Sequence, residues 1–167
     1  FTDALSLYAI GLIAGNLVNV YSDNAGKDGW EKITLASTIG GMVINTAGVT
    51  LAHGMEHPAS GLRDIVHGKG LAALTPAIIE ASYTGNESKF ADIAKLFGGK
   101  EAKDLALKIR ELLKSINLNC TLSDLGIEEK DIPWMAENCM KVSAASVANN
   151  PVVFTQEQIA DIYKKAL

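Results

Sequence analysis

An all-α multi-helix bundle is the fold class this sequence predicts, and three observations carry it. Apolar residues recur every three or four positions, as in Leu5, Ala9, Leu12, Ile13, Leu17 and Val20, or Leu105, Ile109, Leu112, Leu113 and Ile116, which lines one side of a helix. No stretch alternates apolar and polar residues for long enough to be a strand. Glycine, proline, asparagine and aspartate gather between the periodic runs, where chain reversals need them. The chain has 167 residues, and residues 1–167 read as a single domain long enough for a real core. It is 48% hydrophobic but only 6% aromatic, so that core must be aliphatic and alanine-rich.

Taken in order, Thr2 is placed to cap a helix running to about Val20. The segment from Asp23 to Gly29 carries turn chemistry. A second helix should run from about Trp30 without interruption into His53 and His57, its Gly40, Gly41 and Ala47 letting neighbours approach closely. Pro58 should stop that helix, since proline lacks the N–H and crowds the preceding turn. Ala59 to Val66 then reads as a return loop. Gly70–Tyr83 is a third buried helix, bent or bounded by Pro76. Asn86 should cap a short helix to Phe97, which Gly98-Gly99 ends. Glu101–Ile116 is the most amphipathic element, its lysines and arginine forming a solvated face. A loop from Asn117 to Gly126 leads to a helix from about Ile132 to Ala148, which Asn149-Asn150-Pro151 breaks. Thr155 and Gln158 then form a capping box for a last helix to Ala166.

Several function classes recede at this point. Net charge is −4, with Lys and Arg scattered, whereas nucleic acid calls for a basic face. Ala4–Ser22 and Ile33–Met55 reach the length of a membrane span without a charged residue. Their Asn, Ser, Thr and His content argues against insertion. Cys120 and Cys139 read as two separate thiols in a reducing compartment. With no secretory signal ahead of the first helix, the expected location is the cytoplasm. The opening at Phe1, directly before a helix, reads as a fragment.

The chemistry concentrates between Gly48 and Glu80. All three histidines, His53, His57 and His67, lie there. His53 and His57 are four apart, so one helix face carries both rings. A return of the chain after Pro58 brings His67 towards them. Three neutral imidazoles make a pocket for Fe, Zn, Cu or Ni. The same residues also fit the H-x-x-E-H pattern of inverted zinc proteases, with Glu56 as base. Spacing alone leaves both open, together with a helical module whose histidines are structural.

The wording of the stretch resembles the iron-containing alcohol dehydrogenase family, in which H-G-M-x-H-P-x-x-G is followed by D-x-x-H-G. Here these are His53-Gly54-Met55-Glu56-His57-Pro58, then Gly61, then Asp64-Ile65-Val66-His67-Gly68. Thr2-Asp3-Ala4-Leu5, Leu35-Ala36-Ser37 and Asn45-Thr46-Ala47-Gly48 agree with it, so the likeness covers essentially the whole chain. It implies the helical, dehydroquinate-synthase-like, C-terminal metal-binding domain of an enzyme that interconverts a primary alcohol and its aldehyde. His53 and His67 would be metal ligands for Fe2+, or Zn2+. His57 would lie by metal and nicotinamide as a catalytic and cofactor-binding residue, and Glu56 would be dispensable.

The family's further aspartate and histidine ligands have no match: Asp3 is followed four residues on by Leu7, and is not assigned. No glycine-rich nucleotide fingerprint occurs, and Gly68-Lys69-Gly70 is too short to be one. NAD or NADP would therefore be bound mainly by an upstream α/β domain, a partner for this one, and these residues alone should be inactive. A homodimer without nucleic acid or membrane completes the expectation. The rivals remain a zinc metalloprotease, with Glu128, Glu129 or Glu137 as distant third ligands, and a non-enzymatic interaction module.

Overall fold

The computed structural model describes all of residues 1–167 and contains nine α-helices, three single 3-10 turns and no strand. The chain forms two compact units. One comprises Phe1–Gly48 and Ser88–Asn117, the other Val49–Glu87 and Leu118–Leu167.

The first unit is built on helices α1 (Thr2–Tyr21) and α2 (Gly26–Ala47), joined by a short turn with Asp23 at φ 56°. Ala9, Ala36 and Ile39 are buried between them, flanked by Leu5, Leu12, Ile13 and Val43. Thr2 is the first helical residue rather than the cap, because Phe1 holds that position and makes no side-chain cap bond. The expected turn over residues 23–29 is shorter, since α2 already begins at Gly26.

In contrast to the expected buried helix, α2 exposes Trp30, Leu35, Met42 and Ile44. Gly40 and Gly41 face open space rather than a neighbour. Its threonines are satisfied locally: Thr34, Thr38 and Thr46 donate to the carbonyls of Trp30, Thr34 and Met42 at 2.8–3.0 Å. By length and hydropathy α1 alone could cross a membrane, with a mean hydropathy of 1.5. Helices α5 (Glu87–Leu96) and α6 (Leu105–Ser115) follow the amphipathic pattern, burying Ala94, Leu105 and Ala106.

The second unit holds the larger core. Helix α3 (Leu51–Arg63) buries Leu51, Met55 and Ala59, four apart on one face. They pack with Leu74, Ala77 and Ile78 of α4 (His67–Ser82) and with Met135, Ala136 and Cys139 of α7 (Ile132–Val142). Ile159, Ile162, Tyr163 and Ala166 of α9 (Gln156–Ala166) complete this core. The loop after α6 is pinned to it by Leu122 and Ile127, both fully buried, and the Leu122 amide donates to the Ala166 carbonyl at 2.8 Å. Thr155 and Gln158 form the expected capping box.

Three helix boundaries differ from the sequence expectation. The long helix into the histidines is broken after Ala47, where Gly48 adopts φ 75°, a left-handed value that glycine accepts without strain. Pro58 does not end α3 but lies inside it. Only the link to the Gly54 carbonyl is lost there, and burial of Pro58 in the core holds the remaining turn in place. The return loop is therefore just Asp64, Ile65 and Val66, with Asp64 capping α3 in the left-handed region at φ 51°. Finally, the helix expected over Ile132–Ala148 is divided at Ser143 into α7 and α8 (Ala144–Ala148).

Candidate metal centre

Helix periodicity places the first two histidines. With Leu51, Met55 and Ala59 turned into the core, positions 53 and 57 are offset by about 200° and project from the opposite side of α3. The near-buried side of that helix is set by Gly54, at which a Cβ would stand 3.3 Å from the Cβ atoms of both Ser143 and Ser146. α3 thus lies so close to Ser143, at the α7–α8 junction, and to Ser146 of α8 that an added Cβ would have to push them back by a few tenths of an ångström. Tyr163, fully buried, donates its hydroxyl to the Met55 carbonyl at 2.5 Å and fixes the same turn from below.

His67 arrives from the other side. It is the first residue of α4, delivered by the three-residue link after Arg63. Arg63 anchors the end of α3: its Nε donates to the Gly126 carbonyl at 2.9 Å, and its terminal nitrogen pairs with Asp131 at 2.6 Å. The three imidazoles converge, with ring centroids 5.0 Å apart for His53 and His67, 5.9 Å for His57 and His67, and 6.1 Å for His53 and His57. One ring nitrogen from each can be chosen so that all three lie within 4.8 Å of one another. His53 is half-buried and the other two are exposed. Burial, followed by the neighbouring imidazoles of His67 and His57, lowers the His53 pKa from its ordinary value, against a smaller opposing pull from Glu56. A lowered pKa favours the neutral ring, the form that binds a metal.

The surroundings of Glu56 separate the readings that spacing left open. Its side chain is fully buried. One carboxylate oxygen accepts from the Ser60 hydroxyl and the other meets Nδ1 of His67. Such a carboxylate has no open face towards a water molecule, so it is not placed as the base of a protease. Of the distant acidic candidates, Glu128 is paired with Lys130 at 2.8 Å. Asp3, left unassigned above, pairs with Lys89 at 2.9 Å in the first unit. Ser60 and Gly70 are the residues that spacing did not bring forward, and Glu56 came forward only as a base, because only the fold shows what the three touch. The one available signal was that Glu56 and Ser60 are also four apart.

The family model for the C-terminal part of Fe-containing alcohol dehydrogenases matches residues 1–167. The chain belongs to the iron-containing alcohol dehydrogenase family. Among the relatives of this iron-containing alcohol dehydrogenase domain is a 1,3-propanediol dehydrogenase of Klebsiella pneumoniae, 36% identical over 99% of this chain and 44% of that protein. A crystal structure of a 1,3-propanediol oxidoreductase superposes with a TM-score of 0.90 at 35% identity, over 99% of this chain and 45% of that one. The structure of an archaeal halo-thermophilic alcohol dehydrogenase from a Red Sea brine pool gives a TM-score of 0.92 at 29% identity, over 99% and 44% of the two chains. This iron-containing alcohol dehydrogenase domain thus spans somewhat under half the length of the proteins it matches.

Proposed function

We propose that these residues are the metal-holding part of an NAD(P)-linked enzyme that interconverts a primary alcohol and its aldehyde. The observation that supports this most is the convergence of three imidazoles in a chain matched by the iron-containing family over its whole length. The donor set suits the group: neutral imidazole nitrogens bind divalent iron, and zinc as well. His53 and His67, presented from separate helices, are the residues assigned to hold it. Bound there, the ion supplies a Lewis acid that draws charge from the alcohol oxygen and makes hydride departure easier.

The remaining work falls to side chains. His57, exposed one turn beyond His53, is assigned to orient substrate or nicotinamide and to take up or return the hydroxyl proton. The scattered Lys and Arg offer no nucleic-acid face, and α1 spends Leu5, Ala9 and Leu12 on α2 rather than on lipid. A cytoplasmic enzyme is the host we infer. NAD or NADP would be held chiefly by an α/β domain outside these residues, which carry no glycine-rich fingerprint.

The test is an assay of the full-length enzyme that contains this domain. Stripped of metal by a chelator, it should be silent; reloaded with Fe(II), it should reduce NAD+ or NADP+ with a short primary alcohol. The name of the Klebsiella relative makes 1,3-propanediol the first substrate to try. Turnover that survives complete removal of metal would contradict the proposal. The 167 residues by themselves should give no turnover.

A further inference from the structure

We propose that Glu56 is a positioning residue that fixes the ring orientation and tautomer of His67, with Ser60 and Gly70 building its seat. The inference rests on the metal-centre reading above. A fully buried carboxylate is costly unless both oxygens find donors, and here both do. Ser60, one turn further along α3, donates to Oε1. Oε2 faces Nδ1 of His67. A carboxylate oxygen can only accept, so Nδ1 carries the hydrogen, and the lone pair left for a ligand is on Nε2.

Two further contacts show that this arrangement is built by the fold. The Ser60 hydroxyl, whose single hydrogen is shared between Oε1 and the Ile65 carbonyl 3.0 Å away, sets the carboxylate's seat against the link that delivers His67. Gly70 lies three residues after His67, in the same first turn of α4. A Cβ at that position would fall 2.7 Å from Oε1 of Glu56 and 2.8 Å from its Cγ. Any side chain at 70 would therefore displace the carboxylate. α4 thus serves one contact twice, with His67 receiving the carboxylate and Gly70 making room for it. Hydrogen bonding of this kind holds a ligating ring in place and raises the basicity of its other nitrogen. The expectation that Glu56 is dispensable is replaced by this one.

The experiment uses the full-length enzyme, metal-free, as wild type and as Glu56→Gln, Glu56→Ala and Gly70→Ala. Affinity for Fe(II), with Co(II) as an optical probe, is measured against a competing chelator. Isotope-edited nitrogen NMR of the histidine rings reports the tautomer of His67 before any metal is added. Glu56→Ala should weaken metal binding about 10- to 100-fold and shift His67 away from the Nδ1–H tautomer. Glu56→Gln keeps an acceptor and should lose less. Gly70→Ala should weaken binding although all three histidines remain. Should Glu56→Ala not fold by circular dichroism, the isosteric Gln variant carries the comparison. Wild type that binds while Glu56→Gln and Gly70→Ala match it in affinity and tautomer overturns the inference alone. Wild type that binds no metal overturns the metal-centre reading and this inference with it.

Discussion

Cys139 lies fully buried in α7, and burial pushes its thiol pKa up to about 11. The nucleophile is the thiolate. At neutral and mildly alkaline pH, below that value, Cys139 should therefore stay protonated and inert. Cys120 is half-exposed. Treating the native protein with a thiol reagent should label Cys120 alone, with Cys139 reacting only after denaturant is added; two labels in the native state, counted by mass spectrometry, would show the core to be open. Gly54 offers a second test at the level of single atoms. An added methyl would press on Ser143 and Ser146 from 3.3 Å, and overpacking of this kind costs about 1–3 kcal/mol. Alanine's better helix propensity returns up to about 1 kcal/mol inside α3, so urea unfolding of Gly54→Ala should show a net loss of about 0–2 kcal/mol, with the helical circular dichroism of the folded protein unchanged; a net gain would show that Ser143 and Ser146 give way freely.

Helix α3 is the element on which the site depends, because it carries two histidines outward while its other face fills the core. Its far end is held by Arg63, bonded to the Gly126 carbonyl and paired with Asp131. Removing a hydrogen bond to a charged group costs about 1.5–3 kcal/mol. Arg63→Ala should lose that much stability in urea, and the His67 link beside it should exchange its amides faster; unchanged exchange at residues 65–67 would show that the anchor does not steady the loop. The same element marks what the sequence made legible. The i, i+4 pair, the presence of a return and the convergence of His67 were all readable from periodicity and turn chemistry. The place where α3 starts and stops was not. Gly48 breaks a pattern that looks continuous, and Pro58 fails to break one, because burial against the core outweighs a single missing hydrogen bond. Glu56 was visible as a residue type in a motif, but its partner Ser60 and the space left by Gly70 exist only once α3 and α4 are packed.

At the scale of the molecule, the histidines all belong to one of the two compact units, the one comprising Val49–Glu87 and Leu118–Leu167. The all-α class follows from period alone, whereas the division into units joins segments distant in sequence, which no local pattern reveals. It also leaves α2 with exposed Trp30 and Met42 where an apolar composition suggested burial. In this assignment His53 and His67 hold the metal, and His57, within reach of both, does not. Metal analysis of full-length His53→Ala, His67→Ala and His57→Ala, each purified in the presence of Fe(II), tests it most directly. His53→Ala and His67→Ala should come out metal-free, while His57→Ala should keep about one ion per chain and turn over slowly. Loss of metal from His57→Ala as complete as that from His53→Ala would make His57 a ligand and contradict the assignment.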